Sequence, residues 1–460
     1  MMKRRREMKN KLYKVLLGVS VLAMAACSPA VGIMAADNGT QTETQETENI
    51  TIEAVGALNF SETRTNQGNY IKAVRIEYSG EVDASAVDYT SYLVKGYNVV
   101  GTYVNNTGEW GDCGTSGKYV FVLIEEPINT ETAMYKTHTN YGGMDYYTPP
   151  TLYISQLSDI KVNEEGKLDE EGNVTIAGFG MESSEQYNLI ADEFQAGQYT
   201  MQVDGEDYSI MYRLFVPEGY ENGGADLASL PMVIYYHGGG EGGDNNIMPI
   251  LDSRSAQNFA TDEWQSEHPC FVLVPQNPIK HGGEEPFMTA AVQLIQQVMG
   301  EYNVDQKRIY TMGTSAGTKS AVATDIAMPD QIAGTLLASA AMFEYTQEEH
   351  EAIKDIPTWL ITAADEIPRR LDASEAFVDT ASSIGREAAA NVGDEAWNGY
   401  LTGYEAEQLA EEQIELAEQM GTNLLYTHYQ VNTIEPDCHL NYLHAYNNTA
   451  ILEWLFDQSK

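Results

Sequence analysis

From Gln195 onward, apolar runs alternate with segments of helical period. That alternation limits the second half of the chain more than any other feature. The runs are Met232–Tyr236, Phe271–Pro275, Ile309–Met312, Thr335–Ala340, Trp359–Ala363 and Leu424–Tyr429. Between the second and third runs, Ala291, Leu294, Ile295 and Val298 recur at helical spacing. A hairpin-like pair, Tyr199 to Val203 and Ile210 to Val216, comes first. Strands that alternate with helices pair in parallel, and the helices cover both faces of the sheet. The expectation is an α/β domain over residues 195–460 with a mostly parallel, eight-stranded sheet. In such a sheet, loops that can carry chemistry gather beyond the carboxyl ends of the strands.

Residues 50–190 read differently. Ala73 to Tyr78 alternates polar and apolar residues, and Lys118 to Ile124 is a nearly continuous apolar strand. Turn clusters such as Asn105-Asn106-Thr107-Gly108 and Glu170-Glu171-Gly172-Asn173 separate these runs. Short strands at this spacing predict an all-β, immunoglobulin-like sandwich.

Residues 1–36 read as a signal peptide: a basic start, Lys3-Arg4-Arg5-Arg6, followed by an apolar stretch from Val15 to Ala26. Ala23-Met24-Ala25 suits cleavage after small residues. Ala25-Ala26-Cys27-Ser28 also fits a lipobox, so a lipid anchor at Cys27 and free secretion stay open as alternatives. Both put the mature protein outside the cytoplasm. Residues 37–49 are polar and aperiodic, as in a linker. The leader carries seven basic residues and one acidic residue, so its removal takes the formal net charge from −42 to about −48. A chain this acidic repels nucleic acid and anionic membrane. Past Cys27 only Cys113, Cys270 and Cys438 remain, which is no disulfide framework.

The chemistry centres on Gly313-Thr314-Ser315-Ala316-Gly317, which reads G-x-S-x-G directly after an apolar run. A serine at the tip of a tight strand-to-helix turn needs small neighbours two positions away on each side. Its hydroxyl is a poor nucleophile and needs a base, an acid that orients the base, and donors for a developing oxyanion. His237-Gly238-Gly239-Gly240 follows the strand two before the elbow, and its side-chain-free backbone offers N–H groups. Gly239 is the expected donor, with Gly240 next, joined by the N–H of Ala316. Asp365, just beyond Trp359–Ala363, is the expected acid, and Glu366 is held in reserve. His439, in the loop after the last strand, is the expected base, and His444 is the weaker alternative. His439, His444 and Cys438 fit no usual metal-ligand spacing, so no metal is expected.

With these residues placed, the second half resembles the α/β-hydrolase family of prolyl-oligopeptidase-like and polyhydroxyalkanoate-depolymerase-like secreted esterases. The resemblance rests on Tyr212-Arg213-Leu214-Phe215-Val216-Pro217, on His237 to Asn246, on Pro275-Gln276, on Tyr302-Asn303-Val304-Asp305 with Arg308-Ile309-Tyr310, and on His439 to Tyr446. The first half is similar, by pattern, to the immunoglobulin-like N-terminal domain of esterases with this architecture. Together these imply an α/β-hydrolase fold preceded by an all-β sandwich. They also imply a serine esterase with Ser315, Asp365 and His439 as its triad and no cofactor. Two departures stand out: Thr318 occupies a position where the family has Gly, and Thr362 likewise replaces a Gly near the acid. The segment from Gly385 to Glu407 reads as an insertion that would cap the pocket.

The expected function is therefore a secreted serine esterase acting on a small-molecule or polysaccharide-linked ester. The alternatives are a serine peptidase of the prolyl-oligopeptidase-like type and a non-catalytic glycan-binding surface protein. The Tyr-rich stretch Asp145 to Pro150 motivates the latter.

Overall fold

The computed structural model describes residues 52–63, 68–125, 136–137, 146–147, 149–157, 159–161, 175–176, 179–279, 282–341 and 344–460. The leader, the candidate lipobox at Cys27, the linker and the turn at Glu170 to Asn173 lie outside these residues, as do the side chains of Asp145 to Thr148. The described chain divides into two compact units. One comprises strand residues up to 61 with 71–133 and 149–187; the other comprises 62–70, 134–148 and 188–460.

The first unit is built from antiparallel strands. One sheet orders the strands Gln186–Asn188, Ala54–Thr63, Asn69–Asp83, Ser116–Glu125 and Asn98–Asn105; a second orders Gly180–Ser183, Leu152–Gln156 and Tyr92–Val94. The strands foreseen at Ala73–Tyr78 and Lys118–Ile124 lie opposite each other in the first sheet, with Ile76 paired to Val120. Between the sheets the buried Tyr78 hydroxyl meets Tyr92 Oη at 2.8 Å and donates to Gln156 Oε1 at 2.9 Å.

The second unit carries a nine-stranded sheet. Its strands are β1 (Gln195–Val203), β2 (Glu206–Phe215), β3 (Leu230–Tyr236), β4 (Phe271–Gln276), β5 (Val304–Thr314), β6 (Ile332–Ala338), β7 (Thr358–Ala363), β8 (Ala388–Asn391) and β9 (Leu424–Tyr429). Their spatial order is β1-β2-β4-β3-β5-β6-β7-β9-β8. β1, β2 and β4 pair antiparallel, and every other pair is parallel. Asp204 and Gly205, with φ of 54° and 87°, make the two-residue turn of the β1–β2 hairpin.

Alternation within the strands builds a core on each face. Tyr235, Met312, Leu336, Trp359 and Leu425 face one way, against Ile451 and Leu455 of helix Thr449–Phe456. Ile234, Ile309, Leu337, Leu360 and Leu424 face the other way. There they meet Leu294, Ile295 and Val298 of α1 (Phe287–Glu301), Val322 of α2 (Ala316–Ala327) and Phe377 of α3 (Pro368–Ser383). Each strand is thus apolar on both sides, which is why these runs read as continuous rather than alternating.

The ninth strand corrects one expectation. Residues 385–407 do not form a cap. Ala388–Asn391 adds β8 in parallel to β9 at the sheet edge, Trp397 bridges to Tyr429, and helix Tyr404–Met420 returns the chain to β9. Four residues, Ala-Ala-Ala-Asn, are too few and too small to show a strand period.

Candidate active site

β5 ends at Thr314, and Ser315 sits at the turn into α2 with φ 51° and ψ −117°, a strained conformation for a residue with a side chain. The flanking glycines are there for space. A Cβ on Gly313 would lie 2.6 Å from Gly317 O, and one on Gly317 would lie 2.0 Å from Tyr236 O. Ser315 N–H donates to Ala338 O at 3.2 Å, which ties the elbow to β6. Thr318, one of the departures from the family pattern, is fully buried. It donates from Oγ1 to Ser315 O at 2.6 Å and accepts from Ala341 N at 3.2 Å. The hydroxyl therefore fastens the turn on two sides. On the opposite face, buried Tyr446 donates to Gly313 O at 2.5 Å.

His439 lies in a short 3-10 turn after β9, and Asp437 caps that turn by accepting from His439 N at 2.9 Å. Its Nε2 is 2.9 Å from Ser315 Oγ, and its Nδ1 is 2.5 Å from Glu366 Oε2. A carboxylate accepts, so Nδ1 carries the proton and Nε2 is left to accept from the serine hydroxyl. The carboxylate that meets His439 is Glu366, not the expected Asp365. Glu366 has a side chain 1% exposed, and its other oxygen accepts from Ile367 N at 2.9 Å and Arg370 Nη1 at 3.1 Å. Burial alone would raise its pKa. The hydrogen bond and charge of His439, the Ile367 N–H and Arg370 outweigh that and bring it down to about 2.

Asp365 turns the other way and accepts from Asn432 N at 2.8 Å, holding the loop that carries the histidine. The two carboxylates follow β7 consecutively, and the turn that starts after Ala363 decides which one faces His439. Arg370, four residues after Glu366, reaches that carboxylate, but Arg369 stands at the same spacing from Asp365, so the sequence alone does not choose between the two acids. The His439 ring, not that of His444, meets Ser315. His444 packs against the Tyr429 ring, and burial lowers its pKa.

The glycine loop after β3 is organised by His237. Asn277 N–H donates to its Nε2 at 2.9 Å, so Nδ1 bears the proton and donates to Gly238 O at 2.6 Å. Burial presses the pKa of this imidazole down to about 4, which keeps it neutral. In a trans peptide the N–H points opposite to the carbonyl, so the Gly239 N–H is directed away from the ring. Gly238 packs against the elbow, where a Cβ would lie 3.6 Å from Ser315 Cβ. Among the described residues, neither the Gly239 N–H nor the Ala316 N–H has an acceptor. Cys270 is a buried thiol and Cys438 a partly buried one, neither in a disulfide.

Comparison with known proteins agrees with both halves. Residues 63–169 match the family described as Esterase Ig-like N-terminal domain. A crystal structure of a thermostable esterase superposes with a TM-score of 0.68 at 24% identity, covering 88% of this chain and 100% of its own. The chain has an α/β-hydrolase fold behind an Ig-like domain. Other matches include an ester-hydrolase from the metagenome of Lake Arreo (TM-score 0.34, 17% identity, 57% of this chain and 86% of that one). An acylaminoacyl peptidase also matches (TM-score 0.36, 12% identity, 58% and 42%). No curated protein matches the chain in sequence.

Proposed function

We propose that this α/β-hydrolase is a carboxylic-ester hydrolase that works through an acyl-enzyme on Ser315. The observation that carries the reading is the unbroken chain from Ser315 Oγ to His439 at 2.9 Å and on to Glu366 at 2.5 Å. In this scheme Ser315 attacks the ester carbonyl as His439 Nε2 takes its proton. Glu366 stabilises the imidazolium and fixes its tautomer. His439 then returns the proton to the leaving alcohol, and water repeats the sequence on the acyl-enzyme. The N–H groups of Gly239 and Ala316 are the proposed oxyanion donors. We assign the relay acid to Glu366 and give Asp365 the task of holding the loop. The strongly acidic surface favours a neutral or cationic ester, and the leader sequence favours an extracytoplasmic location.

The test is hydrolysis of p-nitrophenyl esters from acetate to decanoate by the wild type and by Ser315→Ala. Wild-type turnover on at least one ester, lost in the Ala variant, is the expected result. A wild type no faster than Ser315→Ala on every ester defeats the reading.

A further inference from the structure

Helix α3 opens with Pro368-Arg369-Arg370 and has no acidic residue in its first turn. Cations sit badly there, because the free N–H groups make that end of a helix positive. Arg370 must therefore be explained by something other than the helix. Its Nη1 lies 3.1 Å from Glu366 Oε1, and its side chain is 28% exposed against 1% for Glu366. The same oxygen takes the Ile367 N–H, so Oε1 is fully engaged and Oε2 is left for His439.

We propose that Arg370 is a positioning residue for the reaction, locking Glu366 with Oε2 toward His439 and offsetting the negative charge gathered around that imidazole. The inference rests on the esterase reading above and adds to it a residue that touches neither substrate nor reacting atoms.

The charges around the pair make the second role specific. Glu366 and Asp365 come from the turn after β7, and Asp437 from the histidine's own loop; all three act on the Cys438 thiol beside His439 and help raise its pKa to about 11, after burial. From the glycine loop, Glu241 Oε2 lies 2.8 Å from where a Gly238 Cβ would stand, next to Ser315. Against these carboxylates Arg370 supplies positive charge from α3. Its removal leaves the surroundings of the imidazole more negative. That favours the protonated ring, which cannot accept the serine proton.

The acid limb of kcat/KM must then move to higher pH when the charge is lost. A partly exposed charge acting through solvent is worth about half a pH unit here, or about threefold in rate at a fixed pH on that limb. The experiment measures kcat/KM for p-nitrophenyl acetate from pH 4 to 9 in wild type, Arg370→Met, Arg370→Gln and Arg370→Lys. Met and Gln should both shift the limb upward and approach wild type more closely above pH 8. Lys should restore the limb's position even where it does not restore the full rate, because a point charge replaces the fork. A helix-stabilising role alone would leave the limb where it is. Met and Gln variants that turn over with the wild-type limb overturn the proposal, and either folded variant suffices to decide. A wild type without Ser315-dependent turnover overturns the esterase reading, and this inference falls with it.

Discussion

Glu366→Gln is the substitution that separates the two consecutive acidic residues. The fall of the Glu366 pKa from 4.5 to about 2 corresponds to about 3 kcal/mol in favour of the ionised carboxylate. Ile367 and Arg370 share in that figure through Oε1. Assigning about 2 kcal/mol to His439 makes the charge alone worth about 30-fold when the imidazolium forms. Gln adds a second fault. Two donors converge on Oε1, so the amide oxygen stays with them and the NH2 group faces His439 Nδ1. A donor there forces Nδ1 to accept and moves the ring proton to Nε2, where it opposes the Ser315 hydroxyl. An inverted tautomer of this kind costs up to about 10^4 in kcat.

The expected loss in Glu366→Gln is therefore at least about 100-fold in kcat for p-nitrophenyl acetate at pH 8, with KM little changed. Asp365→Asn keeps an oxygen for Asn432 N–H and should stay within about threefold of wild type, a change of under about 1 kcal/mol. Circular dichroism and labelling of Ser315 by a fluorophosphonate check that both variants are folded. If Asp365→Asn loses as much as Glu366→Gln, or more, the relay is not the one read from these distances.

Three further outcomes follow from the surroundings of the site. Thr318→Val removes the bond to Ser315 O and takes the partner from the part-buried Ala341 N–H, a cost of about 1 kcal/mol that should lower Tm by a few degrees in a thermal melt. His237→Ala frees the Gly238 carbonyl, so kcat should fall about 10- to 100-fold with little change in KM; unchanged kcat would remove the loop from the proposed oxyanion site. Asp325 is fully buried, and burial raises its pKa from 3.8 to about 7 despite donors from Thr311 and Thr335. The folded state therefore holds this proton more tightly than the unfolded chain, and the stability it contributes is lost as pH rises from about 4 through about 7. Asp325→Asn should raise Tm relative to wild type more at pH 8 than at pH 5, and a Tm difference independent of pH would refute the assignment.

Long, apolar features were legible in the sequence because tertiary context had little to override. The runs at 232–236, 271–275, 309–312, 359–363 and 424–429 all lie in strands, and Ser315 and His439 lie within 2.9 Å of each other. β8 was hidden because Ala388 to Asn391 has no large side chain to mark a face, and its strand exists through pairing with β9. The Gly385 to Glu407 stretch then looked like an insertion over the pocket. It is instead a sheet edge whose following loop braces the histidine loop, through Gly399 N–H on Thr433 Oγ1 at 3.0 Å and Tyr400 Oη on Asn432 O at 2.9 Å.

The choice between Asp365 and Glu366 fails for a different reason. Strand order fixes which loop supplies the acid, and either residue satisfies that rule. What decides is the phase of a two-residue turn and one methylene of reach, neither of which leaves a periodic trace. Charge leaves a trace, but one that both acids share. An arginine in the first turn of a helix is out of place for the helix, and a carboxylate four residues before it is the partner that makes sense of it. Asp365 has Arg369 at the same spacing, so the sequence offers both pairs alike, and it is the ion pair formed at this site, Arg370 with Glu366, that distinguishes them. The ion pair that forms, rather than the spacing of the residues, therefore identifies the acid. The observed pair predicts that moving the carboxylate to 365 by Asp365→Glu with Glu366→Gln will not restore turnover, because Arg370 would no longer hold its second oxygen. Recovery of kcat in that double variant would show that the arginine is dispensable and that loop position alone selects the acid.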